Sequence, residues 1–140
     1  MVAAGGVIEL KDSGKILIAQ RAKDLDWQPN EWELMYGRID QFEDPEAGLR
    51  RESREELGLA DLEIIDVLVV WHILRGTQKI AENDLIGITY WCKTRSSEVK
   101  LSSEHQNYKW ATPKEALKLI KLDGIRRDVL KFIEKRNKFS

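Results

Sequence analysis

Apolar and polar residues alternate in blocks along the chain, and the longest apolar blocks have the composition of β-strands. Residues 64–74 (IIDVLVVWHIL) and 85–92 (LIGITYWC) are rich in β-branched and aromatic side chains, and each predicts a strand. The remaining predicted strands are 2–10, 15–20, 32–36 (ending at Gly37) and 107–111.

A first helix is predicted between Asp44 and Gly58. Asp44 is a good N-cap residue, and Pro45 favours the first helical position because its backbone has no N–H to leave unpaired. Gly58 suits the position after the last turn. The predicted helix runs from Pro45 to Leu57, with Ala47 and Leu57 as its narrow apolar side.

Two further helices are predicted near the C-terminus. The residues Thr112 to Glu115 form a capping box, which opens a helix through about Leu122. The last predicted helix covers about 125–135, with apolar residues at helical spacing: Ile125, Val129, Phe132 and Ile133. The element order β-β-β-α-β-β-β-α-α predicts a mixed sheet covered by helices in one domain.

Composition narrows the range of functions. The chain has 140 residues, of which 42% are apolar and 34% charged, with a formal net charge of −1, so we expect no general nucleic-acid-binding surface. Cys92 is the only cysteine, which excludes an intramolecular disulfide. No apolar run reaches the roughly 18 residues of a membrane span, and we therefore expect a cytoplasmic protein.

The first predicted helix concentrates acids on one turn, at Glu52, Glu55 and Glu56. Because successive helical residues turn by about 100°, the three carboxylates share one stripe. They repel one another unless a cation intervenes, and a divalent cation such as Mg²⁺ accepts oxygen ligands and leaves room for substrate phosphates. The alternative interpretation is a solvated acidic face balanced by neighbouring arginines.

The spacing around this turn is more specific than the acids alone. Glycine is at position 37, Glu at 43, Arg-Glu at 51–52, Glu-Glu at 55–56, and Gly-Leu at 58–59. The segment 37–59 therefore resembles the Nudix box, G-x5-E-x7-R-E-U-x-E-E-x-G-U, in which U is a bulky apolar residue. Eight of the nine specified positions agree, and the exception is Ser53. On these residues the chain resembles a Nudix hydrolase.

The resemblance extends along nearly the whole chain. AAGGVIEL and KILIAQR are similar to the opening strands of that family, and EHQNYKWATPKEAL is similar to its closing strand and helix. The resemblance implies a single domain over residues 1–140, with an α/β/α sandwich around a mixed β-sheet. In WELMYG, Met35-Tyr36 replaces the family's usual Pro-Gly and is expected to put a bulky ring where the backbone approaches the metal.

The resemblance also implies a metal site on the first helix. The implied ligands for Mg²⁺ or Mn²⁺ are Glu52, Glu55 and Glu56, together with a backbone carbonyl at Tyr36 or Gly37. Arg51 would orient the carboxylates, and Glu43 would support the loop or contact the metal. Glu104 would be a further ligand or the base, and Glu82 or Asp84 could take its place.

The reaction implied by the resemblance is hydrolysis of a diphosphate linkage in a nucleotide derivative. A water deprotonated with help from a carboxylate attacks phosphorus, and the cation neutralises the developing charge. Glu52, Glu55 and Glu104 are all candidates for the general base. The alternative is a Nudix-like domain that binds a nucleotide without cleaving it.

Aromatic and cationic residues supply the candidates for substrate binding: Arg21, Trp27, Tyr36, His105 and Tyr108. Aromatic rings can stack on a base, although a tryptophan is also a common core residue. The segment containing Tyr108 is similar to diadenosine tetraphosphate hydrolases, in which a tyrosine of this region helps to hold adenine.

The substrate class stays open at this point. A nucleoside triphosphate, an oxidised nucleotide and a dinucleoside polyphosphate fit equally well, and ADP-ribose and nucleotide sugars are further alternatives. Relatives in the family suggest a monomer or a homodimer. Basic residues near the C-terminus, including Arg126 and Arg127, are interpreted as the solvated side of the last helix.

Overall fold

The computed structural model describes residues 1–139, which form seven strands and three α-helices. The strands are β1 (Val2–Leu10), β2 (Lys15–Arg21), β3 (Trp32–Glu33), β4 (Met35–Arg38), β5 (Glu63–Leu74), β6 (Asp84–Thr94) and β7 (His105–Ala111). The helices are α1 (Pro45–Leu57), α2 (Pro113–Leu119) and α3 (Asp123–Lys138), and a short 3-10 turn covers Ala81–Asn83.

Local hydrogen bonds at the helix ends confirm the predicted boundaries of α1. The side chain of Asp44 accepts hydrogen bonds from the backbone N–H groups of Glu46 and Ala47, at 3.1 Å each. At the other end, Gly58 donates its N–H to the carbonyl oxygen of Arg54 at 3.1 Å. The capping box predicted before α2 is also confirmed, since both of its reciprocal bonds are present.

Strand β1 lies at the centre of a mixed sheet. It pairs in parallel with β6 and antiparallel with β2 and β4, and the order of the main path is β3-β2-β1-β6-β5. The predicted strand 32–36 is interrupted at Leu34, whose side chain is fully buried, and it resumes as β4. Gly37, predicted as the end of a strand, therefore lies inside β4, opposite Ala4 of β1.

Helices cover both faces of the sheet and give two hydrophobic cores. Leu49 and Leu57 of α1 belong to one core, and Ile120, Val129 and Phe132 belong to the other, beneath α2 and α3. The three-layer α/β arrangement predicted from the sequence is thereby confirmed.

The apolar side of α1 differs from the prediction. Ala47 is exposed, and Leu49 is buried in its place. Ser53, the exception in the box, is fully buried and donates a hydrogen bond from its hydroxyl to the carbonyl oxygen of Leu59 at 3.2 Å. A polar residue is accommodated here because its hydroxyl is paired with the chain that follows the helix.

Candidate active site

Strand β4 brings its backbone directly against the acidic side of α1. A Cβ atom added to Gly37 would lie 2.7 Å from Oε2 of Glu52 and closer still to the side-chain carbons. Only glycine permits this approach, because any side chain at position 37 would overlap the carboxylate. The strand and the helix therefore meet at Gly37 and Glu52.

The ring of Tyr36 does not cover the acidic cluster, contrary to the expectation from Met35-Tyr36. Side chains alternate along a strand, so Met35 packs into the core beneath α1 while Tyr36 packs against the opposite core. The replacement of Pro-Gly leaves the backbone at Gly37 free to approach Glu52.

Arg51 connects three carboxylates of the box. Its Nε lies 2.8 Å from Glu43, and its Nη1 lies 3.0 Å from Glu52 and 3.1 Å from Glu55. The hydrogen bonds that Glu43 accepts from Arg51 and from the backbone N–H of Asp40 lower the pKa of Glu43 to about 2. Burial raises the pKa of Glu52, hydrogen bonding and the positive charge of Arg51 oppose that rise, and the charges of Glu56 and Glu55 add to it. The guanidinium of Arg51 thus supplies positive charge that reduces the repulsion among the carboxylates.

Glu56 is held from another direction, by the loop before β7. The hydroxyl of Ser102 donates a hydrogen bond to the carboxylate of Glu56, and the backbone N–H of Ser102 donates to the carbonyl oxygen of Glu56 at 3.3 Å. The N–H of Glu104 then donates to the Ser102 hydroxyl at 3.3 Å, and its own side chain is exposed. Glu104 therefore lies two positions along the chain from Ser102, the residue that contacts the cluster directly.

The two alternatives to Glu104 lie elsewhere. Glu82 is exposed on the 3-10 turn, and Asp84 pairs with His72 across the β5–β6 hairpin. Neither residue makes a hydrogen bond or an ion pair with the acids of α1 in the part of the chain that the structure describes.

The donor set of the cluster suits a hard divalent cation, although its carboxylates are presently engaged by protein groups. Within residues 1–139, no three acidic, histidine or cysteine side chains are arranged to hold a metal ion, and the carboxylates of the cluster accept hydrogen bonds from Arg51 and Ser102. All the donors are carboxylate oxygens, the ligand type that Mg²⁺ and Mn²⁺ prefer. Glu52, Glu55 and Glu56 would hold such a cation if Arg51 released Glu52 and Glu55 and if Ser102 released Glu56.

A cavity of about 390 Å³ opens on the other side of β4. Of the residues proposed from the sequence, Arg21, Trp27, Tyr36 and Gly37 line it. Its other aromatic and charged lining residues are Glu33, Arg38, Trp71, Arg75, Asp123, Arg127 and Asp128. Since Gly37 lines the cavity and also contacts Glu52, the cavity and the acidic cluster adjoin at this residue.

Comparison with known proteins identifies the family to which this fold and this cluster belong. The family model for the NUDIX domain matches residues 1–133. The chain belongs to the Nudix family. Nudix pyrophosphohydrolases typically depend on divalent metals, and this chain is a Nudix hydrolase.

This Nudix hydrolase is similar in sequence or in structure to the following three proteins. The nucleoside triphosphatase NudI of Escherichia coli is 28% identical over 113 residues, which cover 76% of this chain and 79% of the relative. A Caenorhabditis elegans Ap4A hydrolase has 25% identity and a TM-score of 0.78, covering 99% and 98% of the two chains. The MutT protein of Methanosarcina mazei has 23% identity, a TM-score of 0.77 and coverages of 99% and 95%.

Two of the proposed substrate contacts lie away from the cavity of this Nudix hydrolase. The His105 side chain is only 6% exposed, with Nε2 2.8 Å from the Glu33 carboxylate and Nδ1 buried without a partner among the described residues. Tyr108 packs against the core beneath α1. Arg21, which also pairs with Glu33 at 3.2 Å, lines the cavity together with Trp27 and Tyr36.

Sequence reasoning missed the aromatic floor of the cavity. Trp71 of β5 lies directly opposite Gly87 of β6, and its ring occupies the space that a Cβ at position 87 would need. The rings of Trp71 and Tyr36 meet edge to face, 5.8 Å apart, and Trp71 Nε1 donates to the Thr89 hydroxyl at 3.0 Å. No pattern in the apolar run 64–74 marks Trp71 as a cavity residue.

A buried acid beneath the cavity was also missed. Asp128 of α3 has a side chain only 1% exposed, and its carboxylate accepts hydrogen bonds from Tyr36, Thr89 and Arg127. Burial raises the pKa of the Asp128 carboxyl to about 7. Arg127, interpreted from the sequence as part of a solvated face, instead lies over Trp71 and pairs with this acid.

We expect the stability of the protein to depend on the protonation of Asp128. The ordinary pKa of this carboxyl is 3.8, and the folded protein raises it to about 7, so the folded state binds the proton more tightly. The contribution of this group to the free energy of unfolding is full below about pH 4 and falls by up to about 4 kcal/mol as the pH rises to about 7. Denaturant unfolding of wild type and Asp128→Asn at about pH 5 and pH 8 measures the part of this difference that lies above pH 5, about 3 kcal/mol.

Asp66 provides a matched control for that measurement. Hydrogen bonding from Lys135 lowers its pKa, so Asp66 titrates below the chosen window and Asp66→Asn should show the wild-type change between the two pH values. Parallel pH dependence in wild type and Asp128→Asn would contradict the assignment to Asp128.

Among residues 1–139, no helix combines the length and the apolar character that a membrane crossing requires.

Proposed function

We propose that this Nudix hydrolase cleaves a diphosphate linkage of a nucleoside triphosphate, with Mg²⁺ or Mn²⁺ held by Glu52, Glu55 and Glu56. The observation that supports this proposal is the position of strand β4. Gly37 lies against Glu52 on one side, and Tyr36 and Arg38 line the cavity on the other. A nucleotide whose base enters the cavity would bring its phosphates to the acids.

Two arginines of the cavity have charge available for phosphate. Arg21 and Arg127 are paired with Glu33 and Asp128, whereas Arg38 and Arg75 make no ion pair with any described residue. Arg38 directly follows Gly37, so its guanidinium is suited to bind phosphate oxygens beside the acidic cluster. Arg75 lies 5.5 Å from the ring of Trp27, at the rim where a base or ribose would pass.

The three carboxylates would hold the cation, and one of them would also act as the general base. When bound, the cation supplies positive charge that stabilises the negative charge on the phosphate oxygens. Glu52 is largely buried and fixed against Gly37, whereas the Glu55 side chain is 57% exposed and, among the described residues, pairs with Arg51 alone. Glu55 is therefore the proposed general base, which takes a proton from the attacking water, and Glu104 is the alternative.

A dinucleoside polyphosphate is the second candidate substrate. The likeness to the Ap4A hydrolase of C. elegans, which extends over nearly all of both chains, favours it. One nucleoside of such a substrate would enter the cavity of about 390 Å³ beside β4, and its phosphates would again reach the acids. ADP-ribose, nucleotide sugars and binding without cleavage are the remaining outcomes to be tested.

The test is turnover of a substrate panel by the full chain with Mg²⁺ or Mn²⁺, with the products identified. The panel contains nucleoside triphosphates, dinucleoside polyphosphates, ADP-ribose and nucleotide sugars. We expect cleavage of a nucleoside triphosphate that is lost when a chelator removes the cation. Binding of nucleotides without turnover of any compound would contradict the proposal and support the non-catalytic alternative.

We expect Arg38→Ala to raise KM for the triphosphate by about 10- to 100-fold, because a charge-assisted contact to phosphate is lost. The control is Arg54→Ala, which removes an arginine from the last turn of α1 outside the cavity and should leave KM unchanged. Equal KM values for wild type and Arg38→Ala would remove Arg38 from the proposed phosphate site.

A further inference from the structure

Arg127 presents an unused pair of hydrogen-bond donors to the cavity. Its Nε and Nη2 donate to the same oxygen of Asp128, at 3.2 and 3.0 Å. This contact uses the side edge of the guanidinium and leaves the end edge, formed by Nη1 and Nη2, available. No described residue accepts a hydrogen bond from Nη1, and the side chain is 38% exposed at the cavity lining.

The guanidinium is held in place from several directions. Asp128 is itself fixed by the hydroxyl groups of Tyr36 and Thr89, and the centre of the guanidinium lies 5.9 Å from the ring of Trp71. An arginine fixed by an ion pair and an aromatic ring loses little conformational freedom when it binds a ligand. The donors of Arg127 therefore have a defined direction before any nucleotide enters.

Two parallel N–H donors match one class of base. Guanine offers its O6 and N7 as neighbouring acceptors, the pattern that arginine binds in a bidentate manner, whereas adenine offers N7 beside an amino group. We propose that the cavity selects nucleotides with a 6-oxopurine base, guanine or hypoxanthine, and that Arg127 is the residue that reads the O6 and N7 edge. This inference rests on the proposed function, since it assumes that the base occupies the cavity beside β4.

Other bases satisfy this pair of donors incompletely. Adenine places its amino group beside N7, and uracil and thymine place an N–H donor between their two carbonyl oxygens, so none of these bases offers the O6 and N7 pattern. A purine carrying hydrogen on N7, as in an 8-oxo base, loses the second acceptor. Replacing N7 by carbon, as in 7-deazaguanine, has the same consequence. We therefore expect both modified bases to bind more weakly than guanine.

The test is equilibrium binding of GMP, IMP, 7-deaza-GMP and AMP, which requires no catalysis. Calorimetry on the wild-type chain should give GMP and IMP similar Kd values, each about 10- to 100-fold lower than that of AMP, with 7-deaza-GMP between them. Arg127→Lys keeps a positive charge beside Asp128 but lacks the paired donors, and should bring the GMP and AMP values within about threefold of each other.

Lys131→Met is the control, because Lys131 lies one turn further along α3 and outside the cavity lining. It should preserve the wild-type preference. A wild-type chain that binds GMP and AMP equally, or an Arg127→Lys variant that keeps the preference, overturns the inference. If the preference is present but no nucleotide of the substrate panel is cleaved, the proposed hydrolysis fails while the base readout stands.

Discussion

Glu56→Gln is expected to lower kcat/KM for the nucleotide substrate by about a thousandfold while the protein still folds. The amide is neutral and is a poor ligand for a hard cation, so the charge on the phosphate oxygens would lose much of its stabilisation. A thousandfold corresponds to about 4 kcal/mol of transition-state free energy. The fold should survive, because the hydroxyl of Ser102 can donate to an amide oxygen as it does to the Glu56 carboxylate.

Three measurements on this variant separate loss of the site from loss of the fold. These are kcat/KM with Mg²⁺, calorimetric titration with Mn²⁺, and the midpoint of thermal unfolding. Glu46→Gln is the matched control, since Glu46 is an exposed acid in the first turn of the same helix. A wild-type rate in Glu56→Gln would exclude Glu56 from the ligand set.

The fold was predictable where local rules and tertiary packing agree. Asp44 and Thr112 cap their helices through short-range hydrogen bonds, which depend on neighbouring residues and are therefore visible in the sequence. The long strands β5 and β6 follow from runs of β-branched and aromatic residues in the same way. These features need no knowledge of what the element packs against.

The predictions of side-chain burial and direction failed where they depend on a distant part of the chain that packs against the residue. Ala47 and Leu49 lie two positions apart on α1, and the packing of α1 against the sheet determines which of them is buried. The face occupied by Tyr36 likewise depends on the pairing of β4 with β1. Alternation predicts that Tyr36 and Gly37 face opposite ways, but it does not indicate which of them faces α1.

The buried acid of α3 had a signal in the sequence that was not used. The apolar positions Ile125, Val129 and Phe132 define one side of the helix, and Asp128 falls between them at helical spacing. An acid within an apolar stripe must be paired or must shift its pKa, and both happen at Asp128. By contrast, nothing local distinguishes Arg127 from a solvated arginine, since its partner Trp71 is 56 positions away in sequence.

The acidic cluster could therefore be identified from the sequence, whereas the cavity could be identified only from the folded structure. The cluster lies on one helical turn, so its spacing alone identifies it, and the family match agrees with that interpretation. The cavity combines residues of β1 to β6, α3 and the loops between them, so only the fold assembles it. Strand β4 joins the two, and the position at which they meet is Gly37.

Gly37→Ala is accordingly expected to reduce turnover by about 100-fold. The added methyl group would lie within 2.7 Å of Oε2 of Glu52, and β4 cannot retreat because Gly37 is paired with Ala4 in the centre of the sheet. The carboxylate must therefore shift, and a displacement of about 1 Å in a catalytic group is sufficient for a loss of this size. We expect the free energy of unfolding to fall by only about 1–3 kcal/mol.

Gly6→Ala is the control for Gly37→Ala, because it adds the same methyl group to the neighbouring strand. A Cβ at position 6 would lie 3.1 Å from the sulfur of Cys92, in the core and away from the acids. This variant should lose stability but keep its turnover, whereas Gly37→Ala should lose turnover at a comparable cost in stability. Equal turnover in the two variants would mean that the close approach of β4 to Glu52 has no part in catalysis.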